Sequence, residues 1–161
     1  MPETSVTAIQ AIEAILAPAL GISAVGLLLL SLSNRYSTII NRIRLLNDER
    51  RKLSKLLGEK GELPYPENVR FMSITQQREE LLLRSRYVRN AILSMQLAVG
   101  MFVLSSVTIA INLFITTHFL QVLPLLIFIV GMCSVFAGMV FYAMEVHRSF
   151  KIILLEVKAE E

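Results

Sequence analysis

The chain has 161 residues, 54% of them hydrophobic, and its mean hydropathy of +0.59 lies far above that of a water-soluble enzyme. It carries 16 Lys and Arg against 13 Asp and Glu, with two His, one Cys and no Trp. No carboxylate falls inside an apolar stretch, so intramembrane proton relays lack their usual residues, and a lone Cys133 excludes an internal disulfide.

Two charge-free stretches set the expected architecture. No ionisable side chain occurs in the 21 residues between Glu13 and Arg35, and the 55 residues from Asn90 through Met144 contain no Asp, Glu, Lys or Arg. A spanning helix needs about 20 apolar residues at about 1.5 Å each. The first stretch therefore holds one span, about 14–32, and the second holds two, about 91–117 and 125–144. The fold class expected is an all-α membrane protein with three transmembrane helices and a long cytoplasmic antiparallel helical hairpin between the first and second. Its expected division is an outer N-terminus and first span (1–34), the hairpin (35–90, tip 58–67), the second and third spans (91–144) and a tail helix (145–161).

All sixteen basic residues lie on one side of this layout: none in 1–34, thirteen in 35–90, none in 91–147, then Arg148, Lys151 and Lys158. The positive-inside rule places that side in the cytoplasm of a bacterial inner membrane and the N-terminus outside. The first span lacks the basic leader and cleavage site of a signal peptide, so it reads as retained. No lipidation motif is seen.

Residues 2–12 are weakly amphipathic, with Val6, Ile9, Ile12 and Ile15 at helical spacing suited to an outer interface. In the first span, Pro18, Gly21, Ser23, Ala24 and Gly26 make the outer half rich in small residues, which allow close helix approach in lipid. Tyr36, Ile39, Ile43, Leu46, Leu53 and Leu57 then follow a heptad register interrupted by Arg50, predicting that the span runs on into a cytoplasmic coiled-coil helix. Gly58, Gly61, Pro64 and Pro66 mark the hairpin tip. The return helix is expected to start with Asn68 as N-cap and to carry Phe71, Ile74, Leu81, Val88 and Ile92 on one stripe. Gln121 and Pro124 mark an outer turn before the third span, where Gly131 and Gly138 form a second close-packing surface. The tail places Val146, Phe150, Ile153 and Val157 at helical spacing.

The second span has the most informative polar pattern. At about 100° per residue, Ser94, Met101, Ser105, Thr108, Asn112 and Thr116 share one face about 80° wide. Such a stripe can line a water-filled path when several subunits turn it to a common axis, although Ser, Thr and Asn in lipid more commonly bond across helices or back to carbonyls. Gln96 lies opposite, which suits a bond to the first or third span. Glu145, at the inner end of the third span, reads either as a charged ring at a pore mouth or as a solvated or Arg-paired charge. His118 and His147 fall a membrane thickness apart and cannot share one metal. Metal sites and cofactors are not expected, and catalytic residues are absent because there is no phosphate loop, Cys pair or Ser/His/Asp set. Nucleic acid is not an expected partner for the hairpin, whose 13 positive charges stand against 7 acidic ones with no interleaved aromatic face. Arg35, Arg42, Arg44 and Arg89 read instead as anchors for lipid phosphates in the bilayer.

Pro18, Ser23-Ala24-x-Gly26 with Leu27 to Leu30, Asn34-Arg35, Asn41-Arg42-x-Arg44-x-Leu46 and Glu49 together resemble a bacterial family of small three-span inner-membrane proteins classed as a domain of unknown function. Glu80-x3-Arg84-x-Arg86 before the second span is similar too. The resemblance implies the fold and no activity. Asn34 and Asn41 share a face, suited to bonds with the returning helix near Asn90 and Gln96. The small-residue faces and the imperfect heptad suggest a homo-oligomer. The leading functional expectation is a channel-like pore for ions lined by the second-span stripe. The alternative is a structural or regulatory membrane adaptor whose hairpin binds a cytoplasmic protein partner.

Overall fold

A computed structural model describes the backbone of residues 8–60, 64–112 and 118–159, and the side chains of 12–58, 64–112 and 122–148. Among the described residues all regular structure is helical: α1 (Ala8–Lys60), α2 (Tyr65–Asn112) and α3 (His118–Ala159). Each contains a segment long and apolar enough to cross a membrane, with mean hydropathies of 2.3, 1.9 and 2.4. Between Pro18 and Gly58, α1 meets no proline and only two glycines, Gly21 and Gly26, so no strong helix breaker separates its apolar part from its charged part.

Helix boundaries differ from expectation at three places. The break between α1 and α2 is shorter than a tip at 58–67. The helix resumes at Tyr65, and the Pro64 carbonyl accepts the N–H groups of Glu67 and Asn68, each at 3.0 Å. Asn68 is thus inside the helix and is not its N-cap; Pro66 suits the first turn because it has no N–H to leave unsatisfied there. Pro124 stands within α3, seven residues in, instead of in a turn. Finally, α3 continues through 145 to Ala159, so the tail is not a separate helix. Residues 1–7 and 113–117, with the side chains of Gln121, Phe150, Ile153 and Val157, lie outside the described residues.

The chain divides into two compact units, an apolar one (Met1–Leu32 with Asn90–Phe141) and a charged one (Ser33–Arg89 with Tyr142–Glu161). In the apolar unit α1 buries Pro18, Val25 and Leu32, spaced by seven. From α2, Ala91, Met95, Ala98, Phe102, Ser105 and Thr108 are buried. Phe102 is the centre of this packing. Its ring lies against Gly21 and Gly131 and is tilted onto Phe128 at a centroid distance of 5.3 Å. A Cβ on Gly131 would stand 2.7 Å from Phe102 Cε1, and one on Gly138 would stand 3.0 Å from Met95 Cγ and 3.2 Å from the Ala91 carbonyl. These glycines are what let α3 approach α2 closely, the form of packing that holds helices together in lipid.

In the charged unit Ile39, Ile43 and Leu46 of α1 are buried with Ile74, Ser85 and Val88 of α2, while Tyr36, Leu53, Phe71 and Leu81 are half-buried. The heptad positions of α1 from Tyr36 to Leu53 therefore turn inward, whereas Leu57 is exposed. Arg50, which interrupts them, lays its guanidinium over the Phe71 ring at 5.8 Å. Glu49 meets Arg70 in a bidentate pair, Nε to Oε1 at 2.8 Å and Nη2 to Oε2 at 3.2 Å. Fourteen residues back along α1 and fourteen forward along α2, Arg35 and Arg84 meet at a common carboxylate. Equal steps in opposite senses are the register of antiparallel helices.

Candidate functional site

The densest polar constellation in the charged unit is built on Glu145, whose side chain is fully buried. Each of the three helices contributes. Arg84 of α2 donates from Nε at 3.2 Å and Nη2 at 3.1 Å to Oε1, and Nη2 of Arg35 on α1 stands 3.0 Å from Oε2. Arg35 also donates from Nη1 to the Tyr142 hydroxyl at 3.1 Å, with its guanidinium 5.4 Å from the Tyr142 ring centre. Tyr142 and Glu145 are three residues apart on α3, hence on one face. Their side chains hold Arg35 from two sides. A carboxylate without exposure is costly to bury unless paired and hydrogen-bonded, and here two guanidinium groups supply that pairing. Arg148 repeats the scheme one turn later, donating to the Tyr87 hydroxyl at 3.2 Å and stacking at 5.9 Å.

Sequence reasoning left Glu145 between a charged ring and an Arg-paired charge; the geometry is the paired one, and it gives Arg35 a protein partner in place of a lipid phosphate alone. The sequence signal was the Glu145 position three residues after Tyr142, with Arg84 and Arg86 opposite. Nothing in it selected Arg84 over its neighbours. Arg42, Arg44 and Arg89 are exposed. Asn34 and Asn41 are exposed too, and their side chains make no hydrogen bond among the described residues; only the Asn34 carbonyl is used, accepting from Thr38.

The second-span stripe faces the interior of the apolar unit. Ser105 is buried and donates to the Pro124 carbonyl at 2.9 Å, and Thr108 donates to the Leu104 carbonyl at 2.7 Å. The Ser94 carbonyl accepts the Ser134 hydroxyl at 2.7 Å. Met101 and Asn112 are half-buried, and Thr116 lies outside the described residues. Of the expected packing residues, Pro18, Gly21, Gly131 and Gly138 sit in this interior. Gly26 differs: a Cβ there would meet nothing within 4 Å. Gln96 differs as well, being exposed instead of bonded to another span.

A second feature of the charged unit was not visible as a site in the sequence. An open groove of about 650 Å³ is lined by Arg44, Asn47, Asp48, Arg50, Arg51, Ser54 and Lys55, successive turns of α1. Arg44, Arg51 and Lys55 are exposed and have no ion pair among the described residues. Their spacing of seven and four places them on one face. No group of three His, Cys, Asp or Glu able to hold a metal ion comes together among the described residues.

Compared with known proteins, residues 15–155 match the model of a family described as a protein of unknown function, DUF2721. The match covers most of the chain, and the protein belongs to that family. No curated protein and no solved structure matches it.

Proposed function

We propose that this protein is a membrane adaptor. Three spans anchor it in the bacterial inner membrane with the N-terminus outside, and its charged helices lie in the cytoplasm, where the basic face of α1 recruits an acidic segment of a soluble protein. The observation that carries this reading is the groove from Arg44 to Lys55, in which Arg44, Arg51 and Lys55 have no ion pair among the described residues. On α1 it starts twelve residues past Leu32, about 18 Å of helix. The headgroup layer on each side of a bilayer is only about 5–8 Å deep. A soluble acidic partner therefore suits these cations better than lipid phosphates do. Two hydroxyls of the second span fit the same reading, since Ser105 and Thr108 donate to carbonyls of the protein itself.

A photo-cross-linking residue in place of Ser54, in living cells, tests it. The expected result is a discrete adduct with a soluble protein that disappears when Arg44→Glu and Arg51→Glu are introduced while membrane insertion is unchanged. Adducts with lipid alone, or ion flux through reconstituted protein that is lost in Asn112→Leu, would overturn it.

A further inference from the structure

On α2, the buried residues Ala91, Met95, Ala98, Phe102 and Ser105 define the inward face of the apolar unit. Gln96 lies on the opposite face, exposed, with Gly100, Val103 and Val107 following at helical spacing. Its amide makes no hydrogen bond among the described residues. It stands seven residues beyond Arg89, about 10 Å of helix, inside the stretch that holds no charged residue until Glu145. At that depth there is no water to satisfy the amide's two N–H groups and its carbonyl, and each unsatisfied polar group in hydrocarbon costs several kcal/mol. Gly100, one turn away, is equally unexplained by the protein's own packing. A Cβ there would meet nothing within 4 Å, although glycine costs a helix about 1 kcal/mol relative to alanine.

We infer that the Gln96–Gly100 face binds a second copy of the same chain. All copies insert with one orientation, so two of them bring their Gln96 side chains to the same depth. A primary amide is self-complementary: each donates an N–H to the other's carbonyl, so two bonds form across a two-fold axis along the membrane normal. The missing side chain at Gly100 lets the two backbones approach closely enough for those bonds. Lipid offers no such partner. Because a two-fold contact uses the same face of both copies, it closes at a dimer and does not propagate into a ring. This inference is independent of what the α1 groove binds.

Oxidative cross-linking in native membranes tests it, with Cys133→Ser as background because Cys133 is exposed. Val103→Cys on the proposed face is compared with Leu126→Cys on an exposed face of α3. The expected result is a covalent dimer from Val103→Cys well above the Leu126→Cys control, without higher species. Interhelical side-chain bonds in membranes contribute about 0.6–1.7 kcal/mol, so Gln96→Leu should weaken dimerisation about 3- to 20-fold, with Gln96→Asn retaining more of it. A dilution series of fluorescently labelled protein in liposomes reads the same constant, and the thermal midpoint of Gln96→Leu in detergent should be unchanged. Cross-linking no better than the control, a dimer indifferent to Gln96→Leu, a ladder of larger species, or capture of a different protein at Val103→Cys would each overturn the inference.

Discussion

Arg35 and Glu145 are 110 residues apart in the chain, yet Arg35 Nη2 stands 3.0 Å from a carboxylate that has no exposure of its own. Arg84 approaches the same carboxylate on its other oxygen. The protein thus holds α3 at Glu145 between two arginines from two helices. Removing both arginines would take two guanidinium partners from the buried carboxylate, and breaking a buried ion pair typically costs about 3–5 kcal/mol. Replacing all three groups by apolar ones removes the charge as well. Thermal unfolding in detergent should therefore show Arg35→Met with Arg84→Met strongly destabilised, and addition of Glu145→Leu restoring most of the loss. If the triple variant is less stable than the double, the carboxylate has a stabilising role that pairing does not explain.

Gly131 and Gly26 make opposite predictions. A methyl group at Gly131 meets the Phe102 ring at 2.7 Å, whereas one at Gly26 meets nothing. Gly131→Ala should lower stability by about 1–3 kcal/mol, as overpacked cores do, and Phe102→Leu should relieve part of that loss. Gly26→Ala should be neutral or stabilising by up to about 1 kcal/mol, because alanine is the better helix former. Equal losses at both positions would contradict this account of the packing.

The Glu49–Arg70 pair has a pH signature. The hydrogen bond from Arg70, with its charge and that of Lys52 adding to it, holds the Glu49 carboxyl below its ordinary value of 4.5. A carboxyl depressed on folding contributes stability that is present above its unfolded value and is lost as pH falls through the folded one. The thermal midpoint of wild type should exceed that of Glu49→Gln at pH 7, and the gap should close as the pH drops below about 4.5. The pair is exposed, so the gap should also shrink with added salt. A gap that widens in acid would refute the assignment.

Periodicity and charge carried most of the fold. The heptad from Tyr36 to Leu46 was legible because inward residues must recur every three to four positions, and the three apolar segments because a bilayer demands length. Helix ends were less legible. Pro124 looks like a turn residue in sequence, but a proline in an apolar helix is tolerated when neighbouring groups re-satisfy the backbone. The face of the second-span stripe could be drawn from sequence, but not the object it faces, because direction depends on which neighbour packs against it. Ser105 finds the Pro124 carbonyl, a partner set by how α3 lies on α2 and not by any local pattern. The same limit hid Gln96, whose position opposite the stripe was evident although its exposure was not. The α1 groove has no sequence signature, because a cation left without an ion pair and an ordinary solvated charge differ only in their tertiary neighbours.

The adaptor reading requires that the second-span hydroxyls serve packing within one protomer and meet no water. The most direct measurement is the reaction rate of Ser105→Cys with a charged, membrane-impermeant thiol reagent, in a Cys133→Ser background, with exposed Ser54→Cys as reference. A buried residue bonded to Pro124 predicts no labelling above the cysteine-free background, on either side of the membrane. Labelling at a rate approaching that of Ser54→Cys would place the stripe on a water-filled path and contradict the account.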